Sequence, residues 1–117
     1  MLPKNQRLKG KKLFNEIYKK GRVYSNNLLV IYLFNRGNRY PDLHESRAGF
    51  VVSKKISKKA VIRNKIRRRT SECYRILTSG ICNNTDIIWC VRKAIINATM
   101  SDIKSAVFDL LTKAGQL

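Results

Sequence analysis

The stretch from Ser53 to Arg75, S-K-K-I-S-K-K-A-V-I-R-N-K-I-R-R-R-T-S-E-C-Y-R, makes two demands that few structures satisfy together. Lys54, Lys55, Lys58, Lys59, Arg63, Lys65, Arg67, Arg68, Arg69 and Arg75 place ten of the chain's 25 basic residues here, with Glu72 as the only acid among them. Charge of this density repels itself, and by that criterion alone the segment would be a disordered tail. Its apolar residues require something else. Ile62, Ile66, Cys73 and Leu77 recur at helical spacing, and Thr70 completes the stripe. At about 100° per residue, Arg63, Asn64, Lys65, Arg67, Arg68, Ser71 and Arg75 fall on the rest of the circumference. The spacing predicts a helix from about Ala60 to Thr78, one face on a core and a broad cationic face outward.

A solvated face normally mixes both signs, because opposite charges relieve each other at i,i+4. This helix stacks like on like, with Lys59, Arg63 and Arg67 in one row and Asn64 and Arg68 beside it. Each like pair costs a few tenths of a kcal/mol unless a polyanion arrives. Arginine forks onto phosphate bidentately, and asparagine offers both a donor and an acceptor. The pattern reads as a nucleic-acid-binding helix.

The rest of the chain suits a mount for that helix. Its 117 residues make one domain, and 44% hydrophobic content supports a packed core despite the charge. A net charge of +18 favours a polyanionic partner, either nucleic acid or an anionic membrane surface. Membrane is the weaker alternative: no apolar run approaches the roughly 20 residues of a spanning helix, and the basic helix lacks bulky apolar residues opposite its charges. The start, M-L-P-K-N-Q-R-L-K-G, has no apolar h-region, so no secretory signal is expected. Cys73, Cys82 and Cys90 are odd in number and lack metal-ligand spacing; reduced thiols in a cytoplasmic protein are the simplest account.

In chain order, Leu13, Phe14, Ile17 and Tyr18 form a stripe that predicts a short helix over about Gly10 to Lys20, stopped at Gly21. Arg22 to Ser25 is a short strand turned by Asn26-Asn27, and Leu28 to Phe34 a central strand covered on both faces. Asn35 to Ser46 is a loop, Arg47 to Val52 a strand, Asn83 to Thr85 a turn and Asp86 to Val91 a buried strand. Ile103, Ala106, Val107, Leu110, Leu111 and Ala114 mark a last helix, capped by Thr99 or Ser101. The order α-β-β-β-α-β-α gives the α+β class as a two-layer sandwich.

Acid chemistry is poorly supported. A metal nuclease needs carboxylates converging on one or two ions. Glu16, Asp42, Glu45, Glu72, Asp86, Asp102 and Asp109 are dispersed, and the single histidine, His44, sits in a polar loop. No Gly-rich phosphate loop, Ser/His/Asp set or Cys/His cluster occurs, so no catalytic or metal site is expected in the polypeptide itself. The aromatics are more suggestive. Phe14 and Tyr18 lie at i,i+4, and Tyr32 is mid-strand; either they pack in the core or they form a platform on which unpaired bases stack.

The segments A-G-F-V-V-S-K-K (48–55) and K-A-V-I-R-N-K-I-R-R (59–68), with R-L-K-G-K-K-L-F-N-E-I-Y-K-K-G-R (7–22), resemble the protein subunit of bacterial ribonuclease P over essentially the whole chain. The resemblance implies a small protein that binds a catalytic RNA and assists removal of the 5′ leader from precursor tRNA, with magnesium acting through the RNA. It also implies a four-stranded sheet flanked by helices, with a left-handed βαβ crossover contrary to the general rule. The family's Arg-Asn-Arg motif, close to the RNA subunit, maps to Arg63, Asn64 and Lys65, with Lys59, Arg67 and Arg68 on the same cationic face. The family's leader cleft maps to Phe14, Tyr18 and Tyr32, with Lys54 and Lys55 nearby.

This chain departs from the pattern in three places. Lys65 replaces the usual Arg and loses its bidentate fork. Arg69 stands where an apolar residue is usual, its stem able to pack while its head reaches solvent, and Ser71 stands where Arg is common. The competing class is a small structural RNA-binding protein of ribosomal type, followed by a DNA-compacting protein; the paired helix motifs favour the ribonuclease P subunit over both.

Overall fold

The computed structural model describes residues 2, 6–36, 46–78 and 84–116. The elements α1 (Lys11–Lys20), β1 (Arg22–Ser25), β2 (Leu29–Asn35), β3 (Arg47–Val51), α2 (Ala60–Leu77), β4 (Thr85–Val91) and α3 (Met100–Lys113) follow the expected succession. A 3-10 turn, Lys93–Asn97, precedes α3. Periodicity does not signal it, because Ile95 is its only buried residue. The loop from Gly37 to Glu45, with Pro41, Asp42 and His44, lies outside the described residues, as do Pro3, the helix stop at Ser79-Gly80, Cys82 and Asn83.

The four strands pair in the order β1-β2-β4-β3. β2 is antiparallel to both neighbours, with Tyr32 opposite Val23 on β1 and Ile88 on β4. β3 runs parallel to β4, Gly49 opposite Ile88. Parallel neighbours need a long crossover, and α2 supplies it.

Alternation along β2 and β4 separates two apolar clusters. Leu29, Ile31, Leu33, Ile87 and Trp89 pack with Ile66, Cys73 and Tyr74 of α2 and Ile103, Val107, Leu110 and Leu111 of α3. This is the main two-layer body, closed by α2 packing along α3. Tyr32, Phe34, Ile88 and Cys90 point to the other face, where Leu8 and Leu13, Phe14 and Ile17 of α1 cover them. The apolar run of β2 is therefore a central strand covered on both sides, as its composition implies.

Local chemistry sets the ends. Thr99 caps α3: its hydroxyl accepts from the Asp102 N–H at 3.1 Å, and the Asp102 carboxylate accepts from the Thr99 N–H at 3.0 Å. Gly21 ends α1 at φ −72°, so it is not needed for a left-handed turn; a Cβ there would sit 2.6 Å from the Ile17 carbonyl oxygen. Asn26 fixes the β1–β2 turn: its Oδ1 accepts from the N–H groups of Leu28 and Leu29 and its Nδ2 donates to the Ala106 carbonyl on α3.

α2 buries a wider arc than one stripe. Ile66, Thr70, Ser71, Cys73 and Tyr74 are all buried. Ser71, expected on the outer circumference, is 3% exposed, with its hydroxyl donating to the Arg68 carbonyl at 3.0 Å. The helix is flanked by α3 on one side and β3 on the other, which brings a residue beside the stripe into cover. Tyr74 packs edge-on to Phe50 and Trp89, with ring centroids 5.9 and 5.7 Å away.

Candidate nucleic-acid interface

α2 begins after a turn that Arg63 holds. The Arg63 guanidinium donates to the carbonyls of Ser57 and Lys58 at 3.0 and 2.9 Å, and the Ser57 hydroxyl accepts from the Lys59 N–H at 3.2 Å. Arg67 is half-buried: its Nε donates to the Phe50 carbonyl of β3 at 3.3 Å and its Nη1 to Asn64 Oδ1 at 2.8 Å. Lys59, Asn64, Lys65 and Arg68 are exposed. The expected cationic face is thus present but divided. Arg63 and Arg67 spend donors on the protein's own backbone, while the other four side chains face outward. With its Oδ1 held by Arg67, Asn64 presents its amide in a set orientation. Arg69 is half-buried, consistent with a packed stem.

The aromatic group forms on the opposite face of the sheet. Phe14 and Tyr18 project from α1 with centroids 6.5 Å apart, and Tyr18 meets Tyr32 of β2 edge-to-face at 4.8 Å. The Tyr18 hydroxyl lies 3.7 Å from Cys90 Sγ of β4. Burial, then the Cys90 contact, holds the Tyr18 phenol well above its usual range, and burial also pushes the Cys90 thiol up; both stay neutral near pH 7. Phe14 rests on bare backbone: a Cβ at Gly49 would lie 2.5 Å from Phe14 Cζ. Sequence reasoning missed Gly49, although a glycine inside a strand pattern is a signal for close approach. It also missed Cys90, which nothing in the spacing links to Tyr18.

Both surfaces touch β3. Gly49 seats Phe14 from one side, and the carbonyl of the next residue, Phe50, accepts from Arg67 on the other. Leu8 extends this edge by donating its N–H to the Ala48 carbonyl at 3.0 Å. Lys54 and Lys55 stand exposed in the turn that leaves β3, beyond Val51, which packs with the aromatic group. The structure therefore brings the three rings together and leaves the two lysines outside that packed group.

The described carboxylates are engaged in the fold. Glu16 pairs with Lys20 and Glu72 with Arg75, Asp102 caps α3, and Asp109 accepts from Asn26. The Asn26 hydrogen bond, then Lys113, lowers the Asp109 carboxyl from its ordinary value. Asp86, 1% exposed, accepts from Arg36 at 2.6 Å and from Arg47 at 2.8 Å through each oxygen. This buried ion cluster joins the ends of β2, β3 and β4. Among the described residues no three His, Cys, Asp or Glu gather as metal ligands.

A family model described as Ribonuclease P matches residues 2–115. The chain is 35% identical over 114 residues to the ribonuclease P protein component of Clostridium novyi (strain NT), covering 97% of each. It is 37% identical over 113 residues to that of Clostridium botulinum (strain 657 / Type Ba4), covering 96% of each. The fold superposes on the Staphylococcus aureus RNase P protein with a TM-score of 0.81 at 33% identity, covering 93% of this chain and 94% of that one. On the Thermotoga maritima RNase P protein the TM-score is 0.78 at 27% identity, covering 92% and 96%.

Proposed function

The chain belongs to the ribonuclease P protein family, the protein component of an endoribonuclease holoenzyme, and on that premise we propose how its two surfaces divide the work. The cationic side of α2 binds the ribonuclease P RNA through Arg63, Asn64, Lys65, Arg67, Arg68 and Lys59. The aromatic group under α1 receives the unpaired 5′ leader of precursor tRNA, with Phe14, Tyr18 and Tyr32 as its floor and Lys54 and Lys55 beside it. Hydrolysis of the leader phosphodiester belongs to the RNA, which holds the magnesium.

The observation that carries this reading is Tyr18. A core tyrosine would be sealed, yet this ring stays 38% exposed while held edge-on by Tyr32. A fixed, half-open aromatic within a cationic protein is what an unpaired base stacks on. The pairing of each described acid with a cation, a cap or an amide supports assigning the metal to the RNA.

An add-back assay tests the proposal. The protein, a bacterial ribonuclease P RNA and precursor tRNA are combined at magnesium too low for the RNA alone. Cleavage at the mature 5′ end is expected only when both components are present. RNA binding without stimulated cleavage would point instead to a structural protein of ribosomal type. Cleavage by the purified protein without RNA, abolished by substituting its own acids, would refute the division of labour.

A further inference from the structure

α1 has a second side that the leader cleft does not use. Its outward surface is an open trough lined by Lys11, Lys12, Asn15, Glu16, Lys19 and Lys20. All four lysines are exposed, and Glu16, the single acid, pairs with Lys20 at 4.0 Å. Lys19 and Lys20 suit the last turn of the helix, but the other two lysines do not serve it. Lys11 and Lys12 occupy its first turn, which contains no acid and where the helix dipole disfavours cations. α3 shares the basic last turn, with Lys113, but opens on an acid, Asp102.

The order of residues around α1 connects this side to the cleft. Taking about 100° per residue, Tyr18 follows Phe14 by about 40°, and Lys11, Asn15, Lys19 and Lys12 come next in steps of about 20–40°. Phe14 is packed on the sheet, Tyr18 sits at the open lip, and the lysines begin immediately beyond it. Aromatic faces adjoining a cationic groove are the arrangement that holds single strands without sequence preference.

We infer that the outward side of α1 is a phosphate track for the distal leader: an RNA strand whose base stacks at Tyr18 continues over Lys11, Asn15, Lys19 and Lys12. This inference rests on the leader reading of the aromatic cleft. Lysine is a point charge, and phosphate contacts carry no base information. The track therefore makes affinity depend on how long the leader is, whatever its sequence.

The test uses the holoenzyme assembled on its RNA, with Lys11→Gln, Lys12→Gln and Lys19→Gln combined and Lys20 left to Glu16. Dissociation constants are measured over a salt series for precursor tRNA with a leader that ends at the cleft and with one that extends well past it. For the long leader, three lost phosphate contacts should weaken binding about 10- to 100-fold at roughly 0.1 M salt and reduce the slope of log K on log salt by about 2. The short leader is the reference and should show neither change, and the same three positions changed to Arg should retain the long-leader affinity. If the triple variant binds long leaders like the parent while Tyr18→Ala removes leader dependence, the track is wrong and the cleft stands. If Tyr18→Ala leaves leader dependence intact, the cleft reading fails on its own account. Equal loss for short and long leaders, or weakened assembly with the RNA subunit, would place these lysines against another part of the complex and overturn the inference.

Discussion

Phe14 and Tyr18 are one turn apart on α1 and do different work. Phe14 packs into the apolar cluster over Gly49, whereas Tyr18 is 38% exposed. Stacking is worth about 1–3 kcal/mol per base. Tyr18→Ala should therefore weaken binding of leader-bearing precursor tRNA by about tenfold or more, leave mature tRNA unaffected and barely change the melting temperature. Phe14→Ala removes packing beneath the floor of the cleft as well and should in addition lower the melting temperature by roughly 5–10 °C. Calorimetry and leader-dependent affinity on both variants decide; the reverse pattern would exchange the two roles. Tyr74 offers a separate residue-level check. Burial pushes its phenol from 10.0 up to about 12. The folded state thus keeps the proton longer than the unfolded chain. Its contribution is fully present below about pH 10 and is lost as pH rises through about 12. Tyr74→Phe should remove up to about 1.4 kcal/mol per pH unit from the alkaline decline in urea-derived stability. An unchanged slope would mean that this phenol does not control it.

Among the elements, β3 is where the two proposed surfaces meet, because it touches α1 through Gly49 and α2 through the Phe50 carbonyl. Gly49 lies under Phe14, and the Phe50 carbonyl is held by Arg67. Adding a methyl at Gly49 would bring Cβ within 2.5 Å of Phe14 Cζ, so the Phe14 ring, and with it the packing of α1 on the sheet, must shift. Overpacking of this kind costs about 1–3 kcal/mol. Gly49→Ala should reduce leader-dependent affinity by displacing Tyr18, while assembly with the RNA subunit through α2 is retained. Titration of the assembled variant with long-leader and leaderless substrate checks this. Equal loss in both would show that β3 does not act through α1.

At the scale of the molecule, +18 net charge is carried on a small fold whose two candidate RNA surfaces lie on opposite sides of one sheet. No helix among the described residues is long and apolar enough to cross a membrane. If roughly six to ten phosphates are neutralised, affinity for the RNA subunit should fall about 10³–10⁵-fold between roughly 50 and 200 mM salt, by analogy with duplex DNA. Filter binding over that range checks it; a nearly flat dependence would mean that charge is not the binding term.

The elements were legible in the sequence because helix period, strand alternation and caps are local. α1, β1 and α2 fall within a residue of their expected bounds, and Thr99, one of two candidate caps, closes α3 with Asp102. The cationic helix and its Arg63-Asn64 motif were legible for the same reason, since spacing alone sets their side of α2. Distant neighbours decided the rest. Ser71 is buried and Tyr74 joins an aromatic trio because α3 and β3 flank α2, a fact no helical wheel contains. Arg63 and Arg67 are partly consumed by carbonyls of the preceding turn and of β3. Tyr32 meets Tyr18, and Gly49 meets Phe14, only once β2, β4 and β3 have assembled side by side. The periodicity of a chain states which residues share a face; which faces are covered, and which rings stay open to a ligand, depends on segments far away in sequence.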